Sequence, residues 1–153
     1  MNYLIGYFIC RCQPCSLRED ILQVPDNVTQ LNELIFDNCS EVTLDYVKKI
    51  YTACQQRLEL HFLHETPQLT AEQITALSIF RQQIGPVKSV FCREFGMTSY
   101  MRQRRHRGFL NQADCLIIAS DMPSAEINNA VRFARLHSKP IIDLNTADMH
   151  FRR

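Results

Sequence analysis

The sequence has no tryptophan and only four glycines in 153 residues. Those glycines, at positions 6, 85, 96 and 108, are too scattered to build a phosphate-cradling loop. Neither a GxGxxG turn nor a P-loop occurs, so the common dinucleotide and NTPase sites are excluded in their usual form. Charge of one sign is also missing. Seventeen basic residues face sixteen acidic ones, for a net charge of +1, so no global field draws the protein to nucleic acid or membrane. Any electrostatic binding must come from a local patch. No apolar run approaches the roughly 20 residues that span a bilayer. The opening "MNYLIGYFICRCQPC" has no basic leader before its apolar run, so it is read as a buried strand rather than a signal peptide. No HExxH motif and no serine nucleophile elbow is present.

Cysteine, by contrast, is plentiful at seven residues. Cys39, Cys54, Cys92 and Cys115 fall within apolar patterns and suit small core positions. An odd number of scattered thiols points to a reduced, cytoplasmic setting. Cys10, Cys12 and Cys15 stand closer together. With His61 or His64 as a fourth ligand they could hold zinc, although paired CxxC knuckles are absent. Thiols grouped at a strand end, or a single redox bridge among them, are the alternatives. Nothing else calls for a metal, and no organic cofactor is expected.

With 46% hydrophobic and 22% charged residues, one packed domain of 153 residues is expected, with a core to residue 145 and a mobile or briefly helical tail over 146–153. Residues 2–10 read as a first strand and 31–39 as a short helix or strand. The stretch 43–65 reads as one helix, because Leu44, Val47, Ile50, Tyr51, Cys54 and Leu58 recur at helical spacing with Thr43 as its cap. On such a helix His61 and His64 would lie one turn apart. A second helix over 70–85 opens with a Thr70/Gln73 capping box, buries Ile74, Leu77, Ile79, Phe80 and Ile84, and stops at Gly85–Pro86. "VKSVF" (87–91) reads as a strand and 96–112 as a basic, partly helical segment.

The unit 114–145 is the most legible. "DCLIIAS" is a continuous apolar run, the pattern of a strand covered on both faces. A helix follows from Pro123 at its first position to about His137, with Ile127, Ala130, Val131 and Ala134 inward, and "KPIIDLN" is a parallel strand. The expected fold is therefore α/β, a single Rossmann-like three-layer domain with a mostly parallel sheet. Ligands of such sheets sit beyond the carboxyl ends of the strands. Ser120, Asp121, Ser124 and the helix N-terminus meet there. Arg102, Arg104, Arg105 and Arg107 precede them, and guanidinium forks suit phosphate oxygens. Glu126 could bond a ribose hydroxyl, orient a water or, in an enzyme, stabilise or attack a developing oxocarbenium centre.

The segment "RRHRGFLNQADCLIIASDMPSAEINNAVRFARLHSKPIIDL" (104–144) resembles the later part of SLOG-superfamily domains. That superfamily includes the DNA-processing DprA (Smf) proteins, the LOG phosphoribohydrolases and the molybdenum-cofactor carriers. The DprA pattern is the nearest: a basic stretch at Arg104–Arg107, an apolar strand at Cys115–Ala119, a small polar turn at Pro123–Ala125, a helix carrying Ala130 and Ala134, and a turn at Lys139–Pro140. "KPII" also recurs in nucleoside 2-deoxyribosyltransferases. The family's GSR-like turn after its first strand is matched only through Gly6 or Arg11, and its glycine-rich phosphate turns are absent, Ser124 being followed by Ala125. The resemblance implies binding of a nucleotide, nucleoside or single-stranded nucleic acid. The expected function is therefore binding of a phosphate-bearing ligand, a nucleotide or a single strand. Two other readings stand beside it: a non-catalytic interaction module that docks a protein or a second copy, and a nucleoside or nucleotide N-glycosidic-bond hydrolase or transferase. No membrane partner is expected.

Overall fold

The computed structural model describes residues 3–12, 28–55, 57–64, 68–91, 107–120 and 124–144, with the side chains of 90 and 91 left aside. Its centre is a six-stranded sheet whose strands are β1 (Ile5–Arg11), β2 (Glu33–Phe36), β3 (Glu59–His64), β4 (Val87–Phe91), β5 (Cys115–Ser120) and β6 (Ile141–Asp143). They lie in the order β4-β3-β2-β1-β5-β6, and every neighbouring pair is parallel. The helices are α1 (Glu41–Ala53), α2 (Ala71–Gln83), a segment α3 described over 107–112, and α4 (Ala125–Leu136). The expected α/β, Rossmann-like architecture is the one found.

Right-handed crossovers explain the layering. The chain steps from β1 outward to β4, then returns beside β1 and steps the other way, so helices of the two halves fall on opposite faces. On one face Phe8, Cys10, Leu34, Phe36, Leu60, Phe62 and Ile117 pack with Val42, Tyr46, Val47 and Ile50 of α1 and Leu77 and Phe80 of α2. On the other, Tyr7, Ile9, Leu116, Ile118 and Ile141 pack with Ile127, Ala130, Val131 and Ala134 of α4 and with Leu110. β1 is buried along its middle five residues because both faces are covered. Gly6 is required by packing there: a Cβ would come within 3.0 Å of Leu31 Cδ1 and 3.1 Å of Ile117 Cδ1.

Several expectations are corrected. The stretch 43–65 is not one helix: α1 ends at Ala53, Gln55 turns the chain with φ 56°, and β3 follows. His61 and His64 are thus strand residues on opposite faces of the sheet. The cap of α1 is Ser40, whose Oγ accepts the Thr43 N–H, while Thr43 itself is buried. The Thr70/Gln73 capping box of α2 is present, but Ile74 and Ile79 are exposed rather than inward. α4 starts at Ala125 with Ser124 as its cap, so Pro123 is not its first residue. The 31–39 stretch resolves to β2. Cys15, Cys92, Arg102, Arg104, Arg105, Asp121 and the tail 146–153 lie outside the described residues. No helix among the described residues is long and apolar enough to cross a membrane.

Candidate ligand crevice at the strand-order reversal

The strand order reverses between β1 and β5, and the crevice outside their carboxyl ends is where open parallel sheets bind ligands. β1 delivers Arg11 to this edge and β5 delivers Ser120, paired in register with it. The Ser120 hydroxyl donates to the Arg11 carbonyl at 3.3 Å. Arg11 is the hub. Its Nη2 donates to Glu126 Oε2 at 2.6 Å and to Asp37 Oδ2 at 3.2 Å, and its Nη1 to the Cys10 carbonyl at 2.9 Å. Glu126 sits in the first turn of α4 and Asp37 directly after β2. One guanidinium therefore joins the ends of three elements. Burial works against its charge, but Asp37 and Glu126 outweigh that and hold its pKa above the ordinary arginine value.

The loop after β2 is fixed by Asn38. Its amide donates to the Cys10 carbonyl at 3.2 Å, and its Oδ1 accepts from the Ser40 N–H at 3.2 Å, the Ser40 hydroxyl at 3.0 Å and the Thr43 hydroxyl. Asp37 is consequently held in place with a side chain only 2% exposed, whereas Arg11 and Glu126 are 32% and 26% exposed and open to a ligand. The formal charge of the trio is −1, one guanidinium against two carboxylates. Such a site accepts hydrogen bonds from hydroxyls and repels a phosphate placed directly on the carboxylates.

Among the sequence-derived candidates, Glu126, Ser120 and Ser124 are brought to this edge. The Ser124 Oγ accepts the Ile127 N–H at 3.5 Å as the cap of α4, so the cap stands beside the crevice. Arg107 is exposed at the described start of α3. Arg11 and Asp37 are the additions. A basic residue closing the first apolar run and an acid closing "ELIF" were the local signals for them, but only the topology joins them to Glu126.

The cysteine cluster is redrawn. Cys10 is buried and Cys12 half-buried, both among the residues that pack on the α1 face. A hydrogen bond from Cys12, opposed by burial and aided by Thr43 and Arg11, brings the Cys10 thiol down to about 7. Among the described residues, no metal-ligand cluster joins either histidine to Cys10 and Cys12. His61 pairs in register with Ile35 and faces the other side of the sheet. His64 shares the face but lies two strands away, roughly 9.5 Å at the usual strand spacing, where its Nε2 meets Ser89 Oγ. Cys115, by comparison, is pushed up to about 12 by burial and the nearby Asp114 carboxylate, and is an inert core thiol.

Among the described residues, cavities also lie away from the crevice. One of about 410 Å³ runs between α1 and α2 past Leu44 and Ile79, and one of about 400 Å³ opens at the amino edge beside Leu31, Cys115 and Pro140. No protein-family model matches the chain, and no curated protein matches it either.

Proposed function

We propose that the crevice at the ends of β1 and β5 binds a nucleotide-class ligand, free or as part of a single strand, with the sugar against Arg11 and Glu126. The observation that carries this reading is the Arg11–Glu126 pair of 2.6 Å at the point where the strand order reverses. A carboxylate held there can accept a hydrogen bond from a sugar hydroxyl, and the guanidinium fixes its position. The phosphate is assigned to the arginines of segment 102–107, with the N-terminal N–H groups of α4 as further donors. The resemblance of residues 104–144 to SLOG domains supports the same ligand class.

The position of Glu126, at the open edge of the crevice beside Arg11, favours a second reading on the same ligand. A carboxylate beside a ribose can stabilise the oxocarbenium character of a breaking N-glycosidic bond. One experiment addresses both. Titration with a panel of nucleoside monophosphates and a short single-stranded DNA, at low and raised salt, is expected to show binding that weakens as salt rises. Glu126→Gln should weaken nucleotide binding about tenfold, on the order of 1.4 kcal/mol for a charge-assisted hydrogen bond. Joint Arg105→Ala and Arg107→Ala should flatten the salt dependence. Binding indifferent to all three changes removes the reading. Free base released during the incubation, and lost in Glu126→Gln, supports the catalytic form; an unchanged rate in that variant takes Glu126 out of it.

A further inference from the structure

At the opposite, amino edge of the sheet, three ligand-bearing side chains converge that the crevice does not use. Glu33 opens β2, Glu59 opens β3, and His61 follows Glu59 two residues on, so all three project from one face. Glu33 and Glu59 are register partners on adjacent strands. One ligand atom from each lies within 4.8 Å of the others. The His61 Nε2 is 3.2 Å from Glu59 Oε1 and 3.9 Å from Glu33 Oε2. That nitrogen is buried and makes no hydrogen bond, although two carboxylate oxygens stand beside it. A buried ring nitrogen without a partner is costly unless something occupies its lone pair or it carries a proton toward an acceptor.

From this arrangement we propose a divalent transition-metal site, with zinc as its natural occupant, formed by His61, Glu59 and Glu33. The distances fit that ion. Bonds of about 2.0–2.1 Å to nitrogen and oxygen in a tetrahedron set the ligand atoms roughly 3.3–3.4 Å apart. The His61–Glu59 separation of 3.2 Å is already near that value, and Glu33 at 3.9 Å from His61 has to move closer. One imidazole with two carboxylates suits zinc better than magnesium or calcium, which take oxygen alone. The outer contacts orient the ligands. Tyr3 Oη donates to Glu33 Oε1 at 2.6 Å, which leaves Oε2 turned toward the histidine. Lys88, in register with His61, places its ammonium on Glu59 Oε1. That lysine is the built-in competitor: it neutralises Glu59 when no ion is bound and must share or yield the oxygen when one is. The three ligand side chains are 17–37% exposed, so an ion has a path in and a fourth position remains for water. A bound ion would tie β2 to β3 at the edge away from the crevice, so this site stands independently of the proposed ligand.

Cobalt titration of the metal-free full chain tests the assignment. One Co²⁺ per chain is expected, with the visible absorption of tetrahedral nitrogen–oxygen ligation, without the near-ultraviolet charge-transfer band of thiolate ligation, and displaced by Zn²⁺. Glu59→Gln, a partly exposed change that leaves the fold intact, should weaken Zn²⁺ binding in calorimetry at least tenfold. His61→Ala should abolish it. Lys88→Met should strengthen it severalfold, a gain that a merely structural role for the cluster does not produce. No heat with Zn²⁺, a thiolate band, or affinity unchanged in Glu59→Gln and Lys88→Met overturns the proposal.

Discussion

Arg11→Met is expected to lower stability by about 2–4 kcal/mol in urea denaturation, because it removes the guanidinium that pairs with the buried Asp37 and with Glu126. Asp37 bears most of that loss. Its side chain is 2% exposed, so water cannot replace the arginine there. Glu126 contributes less, since it is 26% exposed and can rehydrate. The figure lies below that for breaking a fully buried pair, because Arg11 itself is about one-third open to solvent. A second variant separates charge from packing. Arg11→Met combined with Asp37→Asn and Glu126→Gln removes the stranded charges and should recover most of the stability. A triple variant as unstable as the single one would mean that the guanidinium stem, not the ion pairs, holds the edge together.

Phe8→Ala should cost about 3–5 kcal/mol, the usual range for a buried aromatic in a core that cannot collapse around the void. Phe8 lies on β1, the strand flanked by β2 and β5, is fully buried, and tilts against Tyr46 of α1 with ring centroids 6.1 Å apart. β1 is locked on both sides by backbone ladders, so little relaxation is available. Ile74→Ala makes the contrast. Ile74 fits the helical period of α2 but is 52% exposed, and its truncation should stay within about 0.5 kcal/mol. Equal losses at the two positions would contradict the assignment of faces.

That contrast also shows what was legible in the amino-acid order. The unit from β5 to β6 was readable because its signals agree: "CLIIA" is buried throughout, and Ile127, Ala130, Val131 and Ala134 mark one face of α4. The stretch 43–65 misled because Cys54 and Leu58 continue the i, i+4 spacing beyond the true end of α1 at Ala53. No glycine or proline interrupts it; Gln55 in a left-handed conformation makes the break. The period-two pattern of β3 was present all the same, with Leu60, Phe62 and His64 on one face and His61 and Leu63 on the other. α2 misled for a different reason. It rests on the sheet through a narrow stripe, chiefly Leu77 and Phe80, so its other isoleucines face out.

The site was legible only where it is local. Glu126 and Ser124 follow an apolar strand directly and could be placed at a helix start from the sequence. Arg11 is 115 positions from Glu126 and 26 from Asp37, and no spacing rule joins residues that far apart. Their meeting depends on β1 lying between β2 and β5, a long-range fact of strand order. The Glu33–Glu59–His61 cluster was hidden for the same reason, and also because His61 was assigned to a helix.

Backbone amide shifts recorded while a nucleoside monophosphate is titrated into the labelled protein test the crevice most directly. The perturbations expected lie at Arg11, Asp37, Asn38, Ser120 and the first turn of α4 from Ser124 to Ile127. Shifts confined to the groove between α1 and α2, or no shift at saturating nucleotide, would contradict the placement of the ligand at the carboxyl ends of β1 and β5.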